Sequence, residues 1–149
     1  MSLNKIVLAG LAIAAWATPA SAQTVSLSAV MNGGNECNGA AVPTCLLGDP
    51  DGYGIATITM PTATRICISL LVNKLGAPTA AHIHSGIPTQ NGAPVVALPT
   101  PATGSPGTSS GCVATPAGFN ATLRNDPGKF YVNVHTTAFP GGAIRGQVF

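Results

Sequence analysis

The sequence predicts an all-β fold, a single Greek-key β-sandwich or flattened barrel. Three observations point there. Apolar and β-branched residues fall in short runs that alternate with polar ones at the period of a half-buried strand. Turn signals built on Gly, Pro, Asn and Asp separate those runs. No heptad, internal repeat or amphipathic helix of useful length interrupts the pattern.

Taken in order, Val25, Leu27, Ala29 and Met31 alternate with Thr24, Ser26 and Ser28 and predict a first strand. Asn32 to Pro50 is rich in Gly, Asn and Pro and reads as a long loop closed by Asp49-Pro50-Asp51-Gly52. In that turn Pro fixes φ and Gly accepts positive φ. Gly54–Met60 and Arg65–Val72 are β-branched runs joined through Pro61–Thr64, a hairpin. Ala80–His84 and Val95–Leu98 follow as shorter strands. Pro99–Pro116 is crowded with Pro, Gly, Ser and Thr, has little to bury and is expected to be a mobile surface loop. Phe119–Leu123 can form a helical turn, ended by Asp126-Pro127-Gly128. Asn120-Ala121-Thr122 matches the glycosylation triplet, a pattern common by chance. Phe130–His135, a turn through Phe139–Gly142 and Ala143–Phe149 form a final hairpin.

Residues 1–22 combine Lys5, the apolar run Ile6–Trp16 and Ala20-Ser21-Ala22, the pattern of a secretory signal cleaved before Gln23. Residues 23–149 then form one domain, secreted or periplasmic, with no later stretch near the roughly 20 apolar residues of a membrane span. Without Lys5, five Lys/Arg stand against four Asp/Glu. No basic stripe exists to neutralise phosphates, which argues against nucleic acid and anionic membranes as partners.

Four cysteines in an exported chain favour two disulfides over reduced thiolate ligands. Three pairings are possible. The spacing favours Cys37–Cys45 as a local clip and Cys67–Cys112 as a tie from a strand to the Pro-rich segment.

All three histidines fall on strands or strand ends: His82 and His84 in Ala81-His-Ile-His-Ser85, and His135 after Tyr131-Val-Asn-Val134. Side chains at i and i+2 share a face about 6.5–7 Å apart, so His82 and His84 can converge on one ion while Ile83 enters the core. A His-X-His pair alone is more often surface decoration than a chelate. Strand parity adds to it. With Val132, Val134, Ile144 and Val148 buried, Tyr131, Asn133, His135, Arg145 and Gln147 take the outer face, and the hairpin brings Arg145 near His135. An arginine there suits a site that attracts a small anion. Imidazoles suit copper, zinc, nickel or iron, and no carboxylate is evident to favour magnesium, calcium or manganese. Three nitrogen ligands with an open position fit either copper or catalytic zinc, and zinc hydrolysis usually also wants a carboxylate base near the metal. Glu36, Asp49, Asp51 and Asp126 lie in loops, with nothing in the pattern to bring one to the cluster. Tyr131 and Phe139 read as packing residues.

At these residues the chain resembles the CHRD domain, named for its occurrence in chordin. The resemblance is carried by Asp51-Gly-Tyr-Gly-Ile-Ala-Thr-Ile-Thr59, by Pro78-Thr-Ala-Ala-His-Ile-His-Ser-Gly86 with Asn91-Gly-Ala-Pro-Val-Val96, and by Tyr131-Val-Asn-Val-His-Thr-Thr-Ala-Phe-Pro-Gly-Gly-Ala-Ile-Arg-Gly-Gln147. It spans nearly all of residues 23–149 and implies an extracellular setting, but no single chemistry. The order of His-X-His strand, later strand-end His and glycine-rich turn into an Arg-bearing last strand also resembles copper–zinc superoxide dismutase. That more distant resemblance implies His82, His84 and His135 as copper ligands and, with Arg145 guiding the anion, as the catalytic set. Superoxide would be the substrate and dismutation the reaction. No histidine that would bridge to zinc and no zinc-binding set are present, so a copper-only site taking protons from water is implied. A non-catalytic binding module and a copper-buffering protein are the rival readings, and a homodimer is a possible assembly.

Overall fold

The computed structural model describes residues 25–36 and 48–149. Cys37, Cys45 and the expected signal segment lie outside them. Eight strands form one mixed-connection antiparallel sheet: β1 Ser26–Asn32, β2 Tyr53–Thr62, β3 Arg65–Asn73, β4 Pro78–Ser85, β5 Pro94–Ala97, β6 Gly107–Ala114, β7 Phe130–Thr136 and β8 Ile144–Gln147. Their order across the sheet is β5-β4-β7-β8-β1-β2-β3-β6. β3 and β6 are neighbours although β4 and β5 intervene in sequence, which is the crossing connection of a Greek key. The sheet curls until its two edges meet, where Ser109 Oγ donates to Pro99 O at 2.6 Å. The result is the nearly closed, flattened barrel that the alternating pattern predicts.

One face of every long strand fills the interior. Ala29 and Met31 of β1, Ala56 and Ile58 of β2, Ile66, Ile68, Leu70 and Val72 of β3, Ala81 and Ile83 of β4, Val132 and Val134 of β7 and Ile144 of β8 share one core. Alternation at period two sends their neighbours outward. Val148, just past β8, bridges back to Ala29 and joins the same core.

Pro99–Pro116 is not a loop throughout. Gly107–Ala114 pairs with β3 over eight residues, from Arg65↔Ala114 to Val72↔Gly107. Sequence reading misses it because its inward positions, Gly107, Ser109, Gly111 and Val113, are small. Cys67 and Cys112 stand opposite each other across this pair and form the expected disulfide.

A short helix, α1 Phe119–Asn125, caps one end with Phe119 and Leu123 buried. Asn120 is buried as well: its Nδ2 donates to Thr62 O and Arg65 O, and its Oδ1 accepts from Thr115 Oγ1. Among the described residues no helix is long and apolar enough to cross a membrane.

Candidate metal centre

β4 and β7 are antiparallel neighbours in the register Ala80↔His135, His82↔Asn133 and His84↔Tyr131. With Ala81, Ile83, Val132 and Val134 inside, the three histidines share the outer face, as the i, i+2 spacing requires. One ring nitrogen from each of His82, His84 and His135 lies within 4.8 Å of the others, the only such group of candidate ligands among the described residues.

The hydrogen bonds decide which nitrogens face inward. His84 Nδ1 lies 2.9 Å from Gly92 O, and His135 Nδ1 lies 3.0 Å from Pro140 O. A carbonyl only accepts, so both Nδ1 atoms carry the proton and, in the neutral ring, both Nε2 atoms present a bare lone pair. Anchoring the far nitrogen on a carbonyl is how metal-binding imidazoles are commonly oriented. His84 Nε2 is buried and has no hydrogen-bond partner among the described residues. His82 Nδ1 and His135 Nε2 face each other at 3.3 Å. Ligands about 2.0–2.1 Å from a tetrahedral ion are about 3.3–3.4 Å apart, so this pair already has the spacing of two ligands.

Burial, the main cause for each ring, holds all three histidines below the usual imidazole range. For His84 and His135 their carbonyl bonds pull the other way, while the neighbouring rings add to the lowering. The rings are therefore neutral at pH 7, the form that binds a cation. Such a donor set fits a metal: three neutral nitrogens, one orphaned and buried, with His82 and His135 partly open to solvent on one side.

Arg145 shares this face but does not stand in the open near His135. Its register partner is Asn133, and it is 1% exposed. The segment between β4 and β5 covers it. Arg145 Nη1 donates to Gln90 O and Nη2 to Ile87 O, both at 2.9 Å, and the guanidinium carbon lies 3.4 Å from the centre of the Tyr131 ring. Tyr131 OH accepts from Gly92 N, and Gln147 Nε2 donates to Gly86 O and Gly128 O. The outer-face side chains of β7 and β8 thus hold the covering segment by its backbone. That segment also supplies Gly92 O, which orients His84.

Glu36 is the residue that sequence reading misses. It follows the short 3-10 turn Gly33–Asn35 and is 1% exposed on this same outer face. Asn133 hydrogen-bonds to its carboxyl, and burial outweighs Arg145 and Asn133 to push its pKa up to about 7. Among the described residues Glu36 Oε1 and Asn133 Oδ1 have no hydrogen-bond partner. Gly142 leaves the space, since a Cβ there would meet Glu36 Oε1 at 2.5 Å.

Against known proteins, the family model described as the CHRD domain matches residues 27–148. No curated protein and no solved structure matches the chain.

Proposed function

The chain belongs to the CHRD domain family, and because that membership leaves the chemistry to the site, we propose that His82, His84 and His135 hold one copper ion in an exported protein that dismutes superoxide. The observation that carries the reading is the buried, unpartnered Nε2 of His84 aimed into a cluster whose other nitrogens are already at ligand spacing. Three imidazoles and no carboxylate favour copper over magnesium, calcium or manganese, and zinc is the alternative occupant. The Cys67–Cys112 disulfide and the family fit an oxidising, extracellular setting.

Copper would supply one-electron chemistry, oxidising one superoxide to dioxygen and reducing a second, with two protons, to hydrogen peroxide. The residues of the chain would do the rest. Gly92 O and Pro140 O would hold two rings so that the lone pairs stay aimed through the cycle. The solvent-facing side of His82 and His135 would admit a small anion and the protons. Arg145, fixed beneath the covering segment, would favour the anion through its field without touching it, weaker guidance than an exposed arginine gives.

A second reading, a non-catalytic extracellular binding module, rests on the other half of the barrel. There Val30, Ile55 and Leu71 pair across β1, β2 and β3 and stand exposed as an apolar row. Such a row suits a protein partner or a second copy of the chain. The cluster could then hold copper without turnover. The deciding experiment measures superoxide decay with copper-loaded and metal-free protein, alongside His84→Ala. Dismutation is supported by a rate that requires copper and falls at least tenfold in the variant. Equal rates for loaded and metal-free protein would leave the binding module.

A further inference from the structure

A chain of buried contacts runs from the metal cluster to Glu36. On one flank of Tyr131, His84 stacks with ring centres 4.9 Å apart and planes 16° from parallel. Arg145 lies over the same ring at 3.4 Å. Because β7 lies between β4 and β8, Tyr131 is the layer that separates the imidazole from the cation. Glu36 is the counter-charge to Arg145, buried against Asn133 in the space left by Gly142.

Resting on the reading that the histidines hold copper, we propose that Arg145 is a positioning residue whose fixed charge, acting across Tyr131 on His84, sets which copper oxidation state the site prefers, with Glu36 as the buried charge that offsets it.

The charge cannot leave. Beyond the bonds to Ile87 O and Gln90 O, Arg145 lies 3.5 Å from Asn91 Oδ1 and 3.4 Å from Gln147 Oε1. The two ring contacts put the guanidinium carbon no more than about 8 Å from the His84 ring centre, near enough for a partly buried charge to be felt. For unit charges roughly 10 Å apart, an effective dielectric of about 20 makes the interaction worth about tenfold in an equilibrium. Cu(II) carries one more positive charge than Cu(I), so the fixed cation disfavours the oxidised form more. Arg145 also lowers the basicity of His84, in the same sense. The groups facing Glu36 are Arg145 from β8, Asn133 from β7 and Gly142 from the β7–β8 turn. When ionised, Glu36 cancels part of the Arg145 charge.

The test compares Cu(II) and Cu(I) affinities of the mature protein by competition with chromophoric chelators, in wild type, Arg145→Met, Arg145→Lys and Glu36→Gln. Arg145→Met is expected to raise the Cu(II)-to-Cu(I) affinity ratio about tenfold, a fall of about 59 mV for one electron. Arg145→Lys keeps the charge and should stay within about threefold of wild type. Glu36→Gln should lower the ratio several-fold near pH 8.5 and leave it unchanged near pH 5.5, and it carries the test if Arg145→Met does not fold. Copper binding with an unmoved ratio in Arg145→Met or Glu36→Gln overturns the inference alone. So does Arg145→Lys moving as far as Arg145→Met. Absence of copper uptake by the wild type overturns the metal reading and this inference together.

Discussion

Replacing Glu36 by Gln should change how the stability of the domain depends on pH. In the folded protein the carboxyl is raised from 4.5 to about 7, chiefly by burial. A raised carboxyl means that the folded state binds more protons than the unfolded chain between those values. Stability is then fully present below about pH 4.5 and is lost as pH rises through about 7. At about 1.4 kcal/mol per unit, the full loss is about 3.4 kcal/mol, and between pH 5 and pH 8 it is about 2.5 kcal/mol. Gln retains the shape and the hydrogen-bonding capacity toward Asn133 but cannot ionise. The variant should therefore gain about 2.5 kcal/mol on the wild type between pH 5 and pH 8. Urea unfolding of both proteins across that range reads the difference directly. The histidines titrate with the opposite sign, their depressed values giving stability that is lost as pH falls below about 6.5, but they are common to both proteins and cancel. Parallel stability curves for the two proteins would refute the placement of Glu36 as a buried, ionisable carboxyl.

Two further outcomes follow from the same architecture. Replacing both Cys67 and Cys112 by Ser removes a cross-link between residues 45 apart, worth about 4 kcal/mol by chain entropy, and a loss under about 1 kcal/mol in denaturant unfolding would contradict it. Gly142→Ala should cost more than about 1 kcal/mol, because Gly142 has φ +144° and an added methyl meets the Glu36 carboxylate. In a Glu36→Ala background the steric part of that cost should disappear, and equal costs in the two backgrounds would refute the contact.

Much of the arrangement was legible because strand parity is a rigid rule. Once Ile83, Val132 and Val134 are assigned to the core, His82, His84 and His135 have only one face to occupy, and they meet there. The Cys67–Cys112 tie was legible from cysteine spacing alone, without the strand that carries Cys112. β6 was not. Its inward positions are Gly, Ser and Val, and its strand character comes from pairing with β3 instead of its own side chains. Parity also put Arg145 on the correct face without revealing that residues 86–92 fold back over it through backbone carbonyls, which carry no sequence signature. By pattern alone Glu36 is a loop residue with nothing to bring it to the cluster. Its burial depends on Gly142, more than a hundred positions away, having no side chain. The Gly-Gly pair before β8 was the one available signal, and it reads equally well as an ordinary turn.

The central claim is that three imidazoles form one metal site, and equilibrium copper binding to the purified mature protein tests it most directly. Wild type should bind one copper ion per chain with high affinity. His84→Ala should fold normally and lose at least a hundredfold in affinity, since it deletes a buried nitrogen that has no other partner among the described residues. A wild type that takes up no copper, or a His84→Ala variant that binds it as tightly, would contradict the account.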